Sequence, residues 1–374
     1  MGSKEPTKAS AGHVPLSTAI AAALRVSAAR GERVFLVGGV VRDLLMQRGV
    51  GDYDLDLVVE GNGLDFAQAL QAELGCSIRQ HPSFLTSKLV PPFSGSAGDG
   101  ALLSEVDVAT SRSEEYSSPG ALPTVKPAAI EQDLWRRDFS VNALALPLLD
   151  YAKLRSHEMT PDQAIPDIVD PTGGLADLRA KTLKVLHPES FKDDPTRLFR
   201  AVRYAVRLSF DFDLVTVAAF MAAVKEGALA TLSARRVWNE VMNALDEERA
   251  PEVVEEFAAR GLFATLPIVG PSQLPATIAA LARLSAVRLE VGDEVYSLAG
   301  KLVILVGLVR DGREDIIGAV QEGNRSAKRA RAIVDGLESG QVPAGLPDLT
   351  AMFALKGSEE LRMALESALQ GGGD

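Results

Sequence analysis

Val37-Gly38-Gly39-Val40-Val41-Arg42-Asp43-Leu44-Leu45, followed shortly by Asp54-Leu55-Asp56, is the stretch on which the reading of this chain turns. Arg33 to Val37 is apolar enough for a buried strand. Gly38 and Gly39 carry no Cβ, so the backbone there can approach a ligand closely. Val40 to Gln47 reads as a short helix whose first N–H groups would point at that ligand. Asp54 and Asp56 alternate with Leu55 and Leu57, which is the period of a strand. Residues two apart on a strand share a face. Two aspartates on one face repel each other unless a cation lies between them. A glycine turn, the cationic Arg42 and a paired Asp-x-Asp therefore describe a nucleoside triphosphate site with Mg²⁺. Taken singly, Asp-x-Asp is also what a solvated edge strand shows, so the downstream sequence has to decide.

Glu105-Val106-Asp107-Val108 alternates in the same way. Asp107 can join Asp54 and Asp56 as a third carboxylate, either a metal ligand or a general base for an attacking hydroxyl. Glu105 has the same parity and competes for the role. Arg136-Arg137-Asp138-Phe139-Ser140-Val141-Asn142 offers two adjacent guanidinium groups, a carboxylate and an amide, a set suited to phosphate and ribose hydroxyls. Asp193-Asp194-Pro195-Thr196-Arg197 opens a helix, with Asp194 as N-cap and Pro195 in the first turn. Along that helix Arg197, Arg200, Tyr204 and Arg207 recur on one face. No carboxylate is interleaved between 195 and 210, so local ion pairing does not explain the arginine stripe.

The 374 residues are enough for two or more domains. With 47% apolar and 24% charged residues, the composition is that of an ordinary soluble protein. Apolar runs such as Leu302 to Val309 are too short to span a bilayer, and Met1 to Leu16 lacks the apolar core of a secretion signal. The single cysteine, Cys76, excludes an internal disulfide and fits a reducing cytosol, hence a cytoplasmic protein. Four histidines and one cysteine give no zinc spacing. A net charge of −11 argues against nonspecific nucleic-acid binding, yet local basic stripes can still hold a nucleic-acid substrate. Strands are expected at 33–37, 54–59, 76–80, 86–91 and 104–109, with a helix at 63–74. After 190 helical periodicity takes over, with helices expected at 195–208, 214–225, 235–245, 251–260, 277–286 and 326–337. The fold class is α+β in the first half and all-helical in the second.

In their order, the glycine motif with Asp-x-Asp, the Arg-Arg-Asp-Phe-x-x-Asn-Ala segment, Asp170 to Leu178 and Asp194-Pro-x-Arg197 resemble the class II tRNA nucleotidyltransferase and bacterial poly(A) polymerase family. The resemblance runs from about Val34 to Phe210. It implies a polymerase-β-like nucleotidyltransferase head followed by helical neck, body and tail. The expected division is a disordered tail at 1–16, the head at 17–150, a neck with a base-reading helix at 151–230, and a tRNA-binding body and tail at 231–374. The resemblance implies that Asp54 and Asp56 bind two Mg²⁺ ions and that Asp107 is the third acidic residue. It makes Gly38, Gly39, Arg42, Asp43, Arg136, Arg137, Asp138 and Asn142 nucleotide-binding. Asp170, Gly173 and Gly174 match a hinge. Asp194 and Arg197 match the pair that reads the incoming base, with Arg200 and Arg203 nearby. That pairing makes chemical sense. Cytosine and adenine both present an amino donor beside a ring-nitrogen acceptor, whereas guanine and uracil present a carbonyl and a ring N–H.

The implied activity is template-independent addition of CMP, AMP or both from CTP and ATP to a tRNA 3′ end. A poly(A) polymerase and a non-catalytic RNA-binding relative are the alternatives. The basic segment Arg325, Lys328, Arg329 and Arg331 is expected to hold tRNA phosphates. No protein partner is inferred. Two departures stand out: Asp193 where family members often have Glu, and Leu85-Thr86 where Gly-Thr is common.

Overall fold

A computed structural model describes residues 14–47, 55–91, 102–103, 105–116, 123–263 and 274–286. The chain divides into two compact units, Met1–His187 and Pro188–Asp374.

The first unit is built on a six-stranded sheet. Its strands are β2 (Arg33–Val37), β3 (Leu55–Glu60), β4 (Ser77–His81), β5 (Thr86–Val90), β7 (Val106–Thr110) and β10 (Ala145–Pro147), in the order β10-β2-β3-β7-β5-β4. Neighbours are antiparallel except β3 and β7, which run parallel. The alternation of β3 sends Leu55, Leu57 and Val59 to one face. There they pack with residues of α1 (Leu16–Arg30), α3 (Gly63–Leu74) and α5 (Leu148–Arg155) in the main core. Val58 lies on the other face with Phe35 and Val37, covered by Ile130 and Leu134 of α4 (Ile130–Trp135). Asp56 shares this second face by parity.

Sequence signals set the helix ends. Asn62 caps α3 by accepting from the Asp65 N–H at 3.2 Å, and Gly75 closes it in the left-handed region. Gly63 must be glycine, since a Cβ there would lie 2.7 Å from the Thr110 nitrogen. Gly174 is held more tightly still, because a Cβ would meet the Ser140 carbonyl oxygen at 2.1 Å.

Two boundaries differ from expectation. Val14–Pro15 is a short strand paired with Leu102–Leu103, and Leu16 already begins α1, so residues 14–16 of the expected tail belong to regular elements. Leu16 is buried in the main core, which explains its order. The head continues past 150 to His187, because α5 packs on the sheet and Val169 bridges to Ala145.

The second unit is mainly helical where it is described, with one two-residue strand at Asp211–Phe212. It contains α8 (Ser190–Asp193), α9 (Thr196–Leu208), α10 (Leu214–Lys225), α11 (Ala234–Leu245), α12 (Ala250–Ala259) and α13 (Leu274–Ala286). The buried face of α9 carries Leu198, Phe199, Ala201 and Val202. Phe199 meets Phe257 of α12 edge-on, with ring centres 5.1 Å apart. The helix expected at 326–337 lies outside the described residues.

Candidate active site

Gly38 follows β2 and turns with φ 71° and ψ −131°, a conformation open to glycine and strained for other residues. Its N–H bonds the Leu144 carbonyl at 3.1 Å, and a Cβ at 38 would lie 3.5 Å from Arg137 Nη1. The turn thus lies against Arg137. Arg42, one turn into α2 (Gly39–Leu45), is only 2% exposed. Its Nε and Nη2 bond the two Asp43 carboxylate oxygens at 2.8 and 2.9 Å, and Nη1 donates to Asn142 Oδ1 at 2.6 Å. Asn142 Nδ2 in turn donates to Asp138 Oδ1 at 3.1 Å, which also accepts from the Phe139 N–H at 2.9 Å. Five of the residues singled out in the sequence, Gly38, Arg42, Asp43, Asp138 and Asn142, therefore form one cluster. Within it Arg42 braces Asn142 from behind the glycine turn.

Arg136 and Arg137 share an anchor that the sequence did not reveal. Asp133, fully buried, accepts from Arg136 at 2.7 Å on Oδ1 and from Arg137 at 2.7 Å on Oδ2. Its Oδ1 also accepts from the Arg112 N–H at 3.1 Å. Glu114 adds a 2.7 Å ion pair to Arg136. Burial pushes the Asp133 carboxyl up, but the Arg137 and Arg136 charges outweigh it and hold the group below its ordinary range. The two arginines are thereby fixed as a rigid cationic shelf.

Asp56 stands directly opposite Asp107 in the parallel register of β3 and β7. Such a register puts both side chains on one face. One strand further, Lys88 stands opposite Asp107. Lys88 Nζ lies 3.4 Å from Asp107 Oδ2 and forms a closer ion pair with Glu105. Two carboxylates and an ammonium thus line up across three strands. Leu36 pairs with Leu57, so the end of β2 that leads into Gly38 and the start of β3 that carries Asp56 lie at the same end of the sheet. Hard carboxylate oxygens in this setting fit Mg²⁺. Asp54, the other half of the expected pair, lies outside the described residues. Among the described residues no group of three histidine, cysteine or acidic side chains converges as a ready metal site.

Next to these strands, Leu85 adopts φ 56°, the left-handed conformation, in the short link between β4 and β5. This accounts for the glycine common there in the family that the sequence resembles.

Asp170 accepts from the Gly174 and Leu175 N–H groups at 2.7 and 2.9 Å, capping α7 (Gly174–Arg179). The Asp-x-x-Gly-Gly segment is here a fixed turn, with Gly173 at φ 80°.

In the second unit, Asp194 Oδ1 accepts from the Thr196 N–H at 3.1 Å, Thr196 Oγ1 at 2.7 Å and Arg236 Nη2 at 2.7 Å. Arg197 is buried and donates through Nη1 to Ser190 Oγ at 2.6 Å. Arg200 Nη2 donates to the Tyr204 hydroxyl at 3.0 Å and its guanidinium lies 5.3 Å from the Tyr204 ring centre. Arg203 is expected near the base-reading pair. It is 5% exposed and pairs with Glu240 at 3.1 Å and Glu247 at 3.3 Å, while Arg207 also binds Glu247. The carboxylates missing between 195 and 210 come from α11 and the turn after it. Arg325, Lys328, Arg329 and Arg331 lie outside the described residues.

The mixed sheet thus sets a glycine turn at the end of one strand beside carboxylates on the next two. Residues 34–184 match the model of the poly A polymerase head domain. The chain is 39% identical over 230 residues to the A-adding tRNA nucleotidyltransferase of Geobacter sulfurreducens, covering 62% of this chain and 24% of that protein. It is 40% identical over 210 residues to the A-adding tRNA nucleotidyltransferase of Halalkalibacterium halodurans, covering 56% of this chain and 44% of that one. The chain thus spans about a quarter to a half of the length of these curated relatives. Among solved structures, a tRNA nucleotidyltransferase complexed with a primer tRNA and an incoming ATP analog superposes with a TM-score of 0.62 at 26% identity, covering 92% of this chain and 94% of that one.

Proposed function

We propose that this chain is a template-independent nucleotidyltransferase that extends the 3′ end of tRNA from ATP or CTP, with the terminal AMP as its principal addition. The observation that carries this reading is the register setting Asp56 opposite Asp107 at the sheet end where the Gly38 turn begins. The identity to two A-adding enzymes supports AMP as the nucleotide. In the reaction, the acceptor 3′-hydroxyl attacks the α-phosphorus and pyrophosphate leaves. Asp56 and Asp107, with Asp54, are the proposed Mg²⁺ ligands. When bound, Mg²⁺ supplies positive charge to the attacking and leaving oxygens. The Gly38 turn lets a phosphate approach the backbone, and Arg136 and Arg137, held by Asp133, offer it guanidinium charge. Asp194 accepts from the amino group of adenine or cytosine while Arg197 donates to the ring nitrogen. Arg325, Lys328, Arg329 and Arg331 remain proposed contacts to tRNA phosphates.

The test supplies the purified protein with three tRNAs, ending at the discriminator base, after one C and after CC. ATP and CTP are given separately and products are sized at single-nucleotide resolution. One AMP on the CC-ended tRNA is the expected product. Addition of C to the shorter acceptors would extend the activity to CCA synthesis. A ladder of AMP on any RNA would identify a poly(A) polymerase, and no product in Mg²⁺ would leave an RNA-binding relative.

A further inference from the structure

The base-reading carboxylate is not held by its own helix alone. We infer that Arg236 is a specificity-determining positioning residue, which fixes the Asp194 carboxylate so that a single oxygen, Oδ2, faces the incoming base. The inference rests on the base-reading role proposed above for Asp194.

Arg236 enters from α11, 42 residues away in sequence. Ser233 caps that helix and accepts from the Arg236 N–H at 3.4 Å, which sets Arg236 in the first turn. From there Nη2 reaches Asp194 Oδ1 at 2.7 Å. The same oxygen takes both Thr196 donors. Three donors thus converge on Oδ1, while Oδ2 makes no hydrogen bond among the described residues. The Asp194 side chain keeps 24% of its surface exposed. The Thr196 contacts are local and would let the carboxylate rock about the start of α9. The Arg236 contact comes from a second helix and fixes the carboxylate plane. Carboxylate oxygens are acceptors only. A fixed Oδ2 rewards an amino group and repels a carbonyl, which is the difference between adenine or cytosine and guanine or uracil. Charge-assisted hydrogen bonds of this kind are about twice as strong as neutral ones, which suits Arg236 to the task better than a neutral donor.

The competing view makes Arg236 a strut between α11 and the start of α9, with no bearing on base choice. Single-turnover incorporation of ATP, CTP, UTP and GTP by Arg236→Gln, Arg236→Lys and Asp194→Asn separates the two, with thermal melts recorded for each. Arg236→Gln is expected to narrow the preference for ATP over UTP by about tenfold, the scale of one charge-assisted hydrogen bond. Arg236→Lys, which keeps a cationic donor, is expected to recover most of that preference. A parallel drop for all four nucleotides in Arg236→Gln, or full selectivity in that variant while Asp194→Asn loses it, overturns the inference alone. Unchanged selectivity in Asp194→Asn overturns it together with the base-reading proposal. Should Arg236→Gln fail to fold, fluorescence titration of ATP against UTP with Arg236→Met, which keeps the apolar stem and removes the donor, decides instead. A shifted ratio of the two affinities supports positioning, and an unaltered ratio rejects it.

Discussion

Asp56 and Asp107 oppose each other across the parallel strand pair of the head, with no residue between them in the register. Like charges directly opposite on a sheet are destabilising, by about 0.2–1 kcal/mol. Asp56→Asn is therefore expected to leave the melting temperature unchanged or slightly raised while lowering nucleotide addition by at least about 100-fold, the scale of lost electrostatic stabilisation in a transition state. Calorimetry paired with a primer-extension assay reads both. Turnover near wild type in Mg²⁺ would falsify the assignment of Asp56.

Lys88 balances the same row from the next strand. Its ammonium faces both Glu105 and Asp107, so Lys88→Met leaves adjacent carboxylates without that counter-charge. Lys88 is 40% exposed, so screening limits the cost to about 0.5–1 kcal/mol at low salt. The gap between melts in EDTA and in millimolar Mg²⁺ should be wider for the variant than for the wild type, because the cation replaces the lost counter-charge. Equal gaps between the two conditions in both proteins would separate Lys88 from the metal site.

Asp133 should set part of the acid stability of the head. Its carboxyl is held below its ordinary range in the folded protein. The stabilisation is therefore fully present above the unfolded value of about 3.9 and is lost as pH falls through the folded value. Asp133→Asn leaves two guanidinium groups without their shared anion, a loss of roughly 3–5 kcal/mol at neutral pH by analogy with other broken buried pairs. Denaturant melts between pH 3 and 7 should show a flatter acid limb for the variant. An acid limb as steep as that of the wild type would mean that other carboxylates govern it.

Leu85 stores backbone strain. A left-handed conformation costs a non-glycine residue roughly 1–2 kcal/mol, and Leu85 at φ 56° bears that cost. Its side chain is partly exposed, so little packing is lost on truncation. Leu85→Gly is expected to be neutral or to stabilise by up to about 1 kcal/mol, offset in part by the unfolded-state entropy of glycine. Chemical denaturation measures it, and a clear destabilisation would show that the leucine side chain matters more than the turn.

The periodicity of the sequence located elements well where both ends carry a chemical stop. The helix at 63–74 is bounded by Asn62 and Gly75, and it forms over those residues. The strands bearing Asp56 and Asp107 were legible from alternation, but their mutual register was not, because pairing between distant strands leaves no local mark. Lys88 went unnoticed for the same reason. Asp133 reads like any helix carboxylate until Arg136 and Arg137 close over it. The ion pairs of α9 left no local mark, because Glu240 pairs with Arg203 across 37 residues and Glu247 with Arg207 across 40. The basic residues 325–331 lie beyond the described structure and keep only their sequence argument.

The bonds that run Asp43–Arg42–Asn142–Asp138 join segments 100 residues apart in the chain. A loop transplanted from another enzyme into positions 38–43 would arrive without the amide and carboxylate against which it is keyed. Recombination between heads of this kind should therefore tolerate crossovers that carry 38–43 and 138–142 from the same parent, and reject those that part them. The glycine turn and the Arg-Arg-Asp segment are, for an engineer, one exchangeable cartridge despite their separation in sequence.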